Sequence, residues 1–149
     1  MVDLNDYFNP VSIESPEYEN LAGQAVFPHT ITIHTENTRI SEIGKYKIAL
    51  LGVPEGRNSP NTGSMKGPDA IRSQLYKLAR IPGKTKIIDL GNMKQGISFN
   101  DTIAGLTDVV SFLLNENVFP VITGGSSALF PALEDRKSTR LNSSHVSQS

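Results

Sequence analysis

Apolar residues run almost without interruption from Ile48 to Val53, IALLGV, the pattern of a strand buried on both faces of a parallel sheet. After a long turn-rich stretch, EGRNSPNTGSMKGPD, the spacing becomes helical. Ile71, Leu75 and Leu78 fall on one side behind Pro68, which suits a first turn, so a helix of about three turns is expected, stopping near the Ile81-Pro82-Gly83 run. TKIIDLG then reads as a second strand ending in Gly91. In NDTIAGLTDVVSFLLNENV the residues Ile103, Leu106, Val109, Val110, Leu113 and Leu114 form a single stripe, and Asn100 or Asp101 can cap the first amides. VFPVITGG is a third strand. Residues 1–45 are polar and turn-rich, with one alternation, HTITIHT, that places Ile31 and Ile33 on one face of a short strand. They read as a peripheral extension to a body that begins at residue 46.

The order β-α-β-α-β with short connections predicts an α/β fold, a parallel sheet covered by helices on both faces. Ligands in such sheets bind beyond the carboxyl ends of the strands, here the loops after Val53, Leu90 and Thr123. Three parallel strands alone leave an apolar edge unpaired, so the sheet is expected to be incomplete and the chain truncated.

Composition narrows the function without naming it. With 149 residues, 38% hydrophobic and 19% charged, the chain can build one soluble core. A net charge of −1 and no basic cluster outside the tail argue against a nucleic-acid partner. No apolar run is long enough for a membrane span, and the acidic opening MVDLNDYFNPVSIESPEYEN is neither a signal nor a transit peptide, so a cytoplasmic location is expected. The absence of cysteine removes disulfides and thiolate chemistry and fits that compartment.

The tail changes character at Asp135. Back-translated, DRKSTRLNSSH permits a codon string that resembles the adapter ligated to fragments in short-read sequencing. Residues 135–149 are therefore expected to be adapter read-through rather than native chain, which removes His145 as a candidate ligand. A Ser-rich natural tail is the plainer alternative on composition.

Several short motifs fail on spacing. PGKTK ends like a phosphate-binding loop, but Leu78 stands where glycine is required and a strand follows where a helix should. GVPEGR follows a strand without the glycine spacing of a dinucleotide site. GGSSA resembles a nucleophile turn around Ser126, yet Ala128 replaces the final glycine, and a glycine turn capped by Ser126 or Ser127 is the plainer reading. His29 and His34 lack a carboxylate at ligand spacing and read as surface or strand-packing residues. Asp89 either faces the ligand crevice or caps the GNMKQG turn, and Arg72 either faces that crevice or makes a helix-face salt bridge.

Taken in order, IALLGVP, the loop closing in GPDAIRSQLY, KIIDLGN and LLNENVFPVITGG resemble the first half of the ureohydrolases, the arginase, agmatinase and formimidoylglutamase family. The opening DLNDYFNPVS is similar to that of Bacteroidota arginase-like proteins often labelled formimidoylglutamase. The resemblance implies a three-layer α/β/α fold over 46–134, two manganese ions with a bridging hydroxide, a small guanidino or formimino substrate and a homo-oligomer at full length. It also implies a strand-end motif Gly-Gly-Asp-His-Ser, whose histidine is a metal ligand. Here Gly124 and Gly125 match, Ser126 stands at the aspartate, Ser127 at the histidine and Ala128 at the serine. Gly124, Gly125, Ser126 and Ser127 are thus candidate site-lining residues. No metal ligand is assigned, and the catalytic residues are expected beyond residue 134. The expected function is part of a metal-dependent hydrolase of linear amidines, inactive by itself. The alternative is a non-catalytic binding or assembly module, since serine is a poor substitute for imidazole.

Overall fold

The computed structural model describes residues 2–12, 27–78 and 83–129. The elements in chain order are α1 (Leu4–Tyr7), β1 (Phe8–Asn9), β2 (Thr32–Ile33), β3 (Ile48–Val53), α2 (Gly67–Leu75), β4 (Ile87–Met93), α3 (Phe99–Asn115) and β5 (Phe119–Gly124). The proposed tail, 135–149, lies outside the described residues.

β3 is the central strand. It pairs in parallel with β4 from Ile48↔Ile87 and with β5 from Ile48↔Phe119 to Val53↔Gly124. Period-two alternation then sorts the side chains. Ala49, Leu51 and Val53 of β3 and Ile88 and Leu90 of β4 join Leu106, Val109, Val110 and Leu113 of α3 in the main core. Ile48, Leu50 and Ile87 face the other way, toward Leu75, Tyr76, Val11, Ile31 and Ile33. The two helices therefore cover opposite faces, the α/β/α layering expected of this order. Full burial of Leu106 or Leu113 contributes about 1.5–3 kcal/mol each.

The stripe read for α3 is the one that packs, with Ile103 and Leu114 half-buried at its margins. Its cap differs. Ser98, rather than Asn100 or Asp101, closes the helix, because Asn100 and Asp101 are already helical. Ser98 Oγ accepts the Asp101 amide at 3.1 Å, and the Asp101 carboxylate accepts the Ser98 amide at 2.9 Å. The Ser98 hydroxyl, which donates to Asp101 Oδ2 at 2.8 Å, and after it the Ser98 amide hold the Asp101 carboxyl below the usual carboxylate range. At the other end Asn117 adopts φ 60° and Val118 N–H donates to Leu113 O at 2.9 Å, a left-handed stop.

Three expectations are corrected. Residues 1–45 are not merely peripheral: Leu4, Phe8, Ile40 and Ile43 lie in the main core, and β1 and β2 both pair with β4. β4 does not end at Gly91 but passes through a bulge there, where the register moves from Leu50↔Asp89 to Gly52↔Asn92. Gly91 takes φ 90°, and a Cβ on it would stand 2.2 Å from Asn9 O, so the approach of β1 requires glycine. The α2 stripe is only partly internal. Ile71 and Leu78 are 46% and 57% exposed, whereas Pro68, Arg72 and Tyr76 are buried, because α2 is fastened to the sheet by a polar network.

Among the described residues β5 pairs only with β3, so it forms an edge, as expected of the third strand. The Phe119 amide donates to Lys47 O at 2.8 Å, which turns the backbone of Phe119 and Val121 toward β3 and that of Pro120 and Ile122 toward the free side. Proline there removes one edge donor.

Candidate functional site

The carboxyl ends of β3 and β5 meet at Gly125. Its amide donates to Val53 O at 3.0 Å, and a Cβ would stand 2.3 Å from Glu55 O and 3.0 Å from Ser64 O. Only glycine lets the chain leave β5 this close to the loop after β3. Gly124, by contrast, is exposed at the end of the strand. Ser126 is buried, and its Oγ accepts the Ala128 amide at 3.1 Å. It caps the short 3-10 turn Ser127–Leu129, which Leu129 anchors in the main core. The capping reading of Ser126 thus describes its hydrogen bonding. Ser127 is exposed and its side chain makes no hydrogen bond among the described residues. The structure therefore brings the candidates together as one turn: Gly125 and Ser126 form its base, and Gly124 and Ser127 lie on its open side.

An ion pair beneath this turn, with its carboxylate buried and its guanidinium half-exposed, escaped the sequence reading. Glu55, with 0% exposure, accepts Arg57 Nε at 2.9 Å, Arg57 Nη2 at 2.6 Å and the Arg57 amide at 2.8 Å. Hydrogen bonding from Arg57 holds the Glu55 carboxyl below its ordinary range despite burial, which opposes the shift. The signal was present in EGR, a carboxylate and a guanidinium two residues apart directly beyond a strand.

Asp89 lines, with Arg72, a cavity of about 370 Å³ between α2 and the sheet, and it also caps the backbone at Gly91. Its carboxylate is buried against Arg72, with Nε to Oδ2 at 2.9 Å and Nη2 to Oδ1 at 3.2 Å, and also accepts Tyr76 OH at 2.6 Å and the Gly91 amide at 2.9 Å. Burial pushes the Arg72 pKa down, but the Asp89 charge and hydrogen bonds outweigh it and leave it raised. Arg72 also bonds Asp69 at 3.2 Å and Asn92 Oδ1 at 2.9 Å, so the helix-face salt bridge exists within a larger network. His34 is buried in strand packing, with Nδ1 2.8 Å from Leu90 O. The His29 side chain lies outside the described residues. Among the described residues no group of three His, Cys, Asp or Glu could hold a metal ion.

The arginase family model matches residues 46–134. The chain belongs to the arginase family. This family member is similar to the formimidoylglutamase of Clostridium tetani, 33% identical over 88 residues, which are 55% of this chain and 26% of that protein. It is also similar to the formimidoylglutamase of Salmonella typhi, 31% identical over 119 residues, covering 76% of this chain and 36% of that protein. It thus spans 26% and 36% of the length of these two relatives. A crystal structure of Trypanosoma cruzi formiminoglutamase with Mn2+ is similar at a TM-score of 0.48 and 24% identity, over 56% of this chain and 32% of that one.

For this arginase-family chain the manganese implied by the resemblance meets a poor donor set. The resemblance sets Ser127 at the histidine position and Ser126 at the aspartate position; the first offers a neutral hydroxyl, and the second is committed to its own turn. Glu55, just beyond β3, and Asp89, within β4, are bound by Arg57 and Arg72. The described residues do not fit a metal centre.

Proposed function

We propose that this chain forms the first part of the catalytic domain of a linear-amidine hydrolase of the formimidoylglutamase type, in the cytoplasm, with residues 124–127 lining the substrate site. Membership of the arginase family carries the reading, and the two formimidoylglutamases support the formimino substrate class over other amidines. The position of the turn supports the site: it lies beyond the carboxyl end of β5, against the loop after β3, where sheets of this type take their ligands. In this role Gly125 brings the loops together, Ser126 fixes the turn, and Ser127 presents a hydroxyl to the substrate. Groups that hold a metal or activate water would come from outside the described residues. A small substrate is the proposed partner, and the protein is proposed to self-associate when complete.

That no cluster of His, Asp or Glu able to hold a metal occurs among the described residues favours a second reading, an arginase-fold module without catalysis. One experiment separates the two. The protein encoded by the genomic reading frame containing residues 1–134 is purified with Mn2+ and offered N-formimino-L-glutamate, L-arginine and agmatine. Hydrolysis of the formimino compound with release of formamide supports the first reading; preference for arginine or agmatine moves the substrate class. Hydrolysis of none, with metal content at background, supports the module. Long-read sequencing across the Glu134 codon tests the proposed adapter origin of 135–149, which fails if native DNA encodes DRKSTRLNSSH.

A further inference from the structure

Glu55 faces two parts of the molecule at once. Its carboxylate is held by Arg57 through Nε and Nη2; Nη1 donates to Ile97 O at 2.9 Å, and the second Nη2 hydrogen is shared among Thr102 Oγ1 at 3.1 Å, Gly96 O at 3.2 Å and Ser98 O at 3.3 Å. Those acceptors belong to the loop after β4 and the first turn of α3. The peptide carbonyl of Glu55 forms the surface against which Gly125 packs, and its amide donates to Val53 O at 2.8 Å. One residue thereby joins the start of α3 to the turn after β5.

The chemistry makes this join stiff. A buried carboxylate separated from its cation is strongly disfavoured, so the pair stays closed once formed. The planar guanidinium aims several donors in fixed directions, which a lysine ammonium does not reproduce. Thr102 Oγ1 adds a second tie by accepting the Gly96 amide at 2.9 Å, which holds the same loop against α3. With no Cβ, Gly125 can rest on this peptide, and Ser126 and Ser127 follow directly.

We propose that the Glu55–Arg57 pair is a positioning device that locks the loop after β3 to the start of α3 and so fixes the bed on which the Gly124–Ser127 turn rests. Its functional meaning rests on the reading that this turn lines the substrate site; the positioning itself is measurable without any activity.

Residue-resolved amide hydrogen exchange on the chain tests it, using Arg57→Lys, which keeps the charge and loses the fork, and Glu55→Gln, which keeps the shape and loses the charge. Each variant is expected to speed exchange at the Gly125 and Ala128 amides by about tenfold or more while the Val109 and Val110 amides inside α3 stay unchanged. The double variant should add nothing to the larger single effect, since both act through one contact. Unchanged exchange at Gly125 and Ala128 would overturn the proposal. So would an equal rise at all four amides, which marks an ion pair that only stabilises the fold; should Glu55→Gln unfold, Arg57→Lys decides. If the turn loosens as expected while the amidine assay fails, positioning stands and the functional reading falls.

Discussion

Arg72 on α2 meets Asp89 on β4 through two hydrogen bonds, 2.9 Å from Nε to Oδ2 and 3.2 Å from Nη2 to Oδ1, with both side chains almost wholly buried. This contact seats α2 on the sheet together with the packing of Leu75 and Tyr76 on Ile48, Leu50 and Ile87. Removing one partner leaves a buried charge uncompensated. Asp89→Asn is therefore expected to cost about 3–5 kcal/mol, whereas Tyr76→Phe, which deletes one bond to the same carboxylate, should cost about 1–3 kcal/mol. Urea denaturation of both variants checks the order; equal, sub-kilocalorie losses would contradict it.

Gly125 is sterically fixed by Glu55 O and Ser64 O. Gly125→Ala is expected to destabilise the chain by about 1–3 kcal/mol, the usual cost of overpacking, with the largest rise in hydrogen exchange at residues 124–129. A melting temperature equal to that of the unmodified chain would show that the two loops do not approach this closely.

The capping box of α3 gives a smaller, local effect. Ser98→Ala should cost about 0.5–2 kcal/mol, with the loss seen first as fraying of the first turn of α3. Asn100→Ala, at the position first read as a cap, should be close to neutral by the same measurement.

The helix α3 was legible because six apolar residues repeat at one spacing and tertiary packing agrees with it. β3 was legible for the related reason that its run is apolar on both faces. Between residues 2 and 45, β2 was legible from the alternation in HTITIHT, and Ile31 and Ile33 do pack on one side of the sheet. β1 was not: it is two residues long and exists through pairing with β4, which is distant in sequence and leaves no local period. For α2 the period was present but the buried positions were Arg72 and Tyr76, whose partner lies on another element. In the candidate site the turn was read from its glycines, whereas the Glu55–Arg57 pair beneath it was missed: EGR places the two charges together, but nothing local shows that Glu55 is buried.

The depressed carboxyl of Glu55 sets a pH dependence. A carboxylate whose pKa is lower folded than unfolded stabilises the fold above its unfolded value, about 4.3, and loses that contribution as pH falls through the folded value. Melting temperature should therefore drop as pH falls below about 4.3, and Glu55→Gln, though less stable at neutral pH, should show a shallower drop. Parallel curves would remove Glu55 from the acid response.

β5 presents Phe119, 65% exposed, and Val121, 37% exposed, along a strand edge unpaired among the described residues. Self-association of the chain is expected to rise with concentration and to weaken in Val121→Lys, read by sedimentation. Identical profiles for the two proteins would show that this edge is not used.

Ser127 tests the proposed place of the turn after β5 in an amidine-hydrolysing site, because its side chain is exposed and makes no hydrogen bond among the described residues. The measurement is kcat/KM for N-formimino-L-glutamate of the protein from the genomic reading frame, with and without Ser127→Trp, beside the melting temperature of each. A loss of about tenfold or more, equivalent to about 1.4 kcal/mol, is expected at an unchanged melting temperature. Equal kcat/KM with indole at this position would place the reaction elsewhere and contradict it.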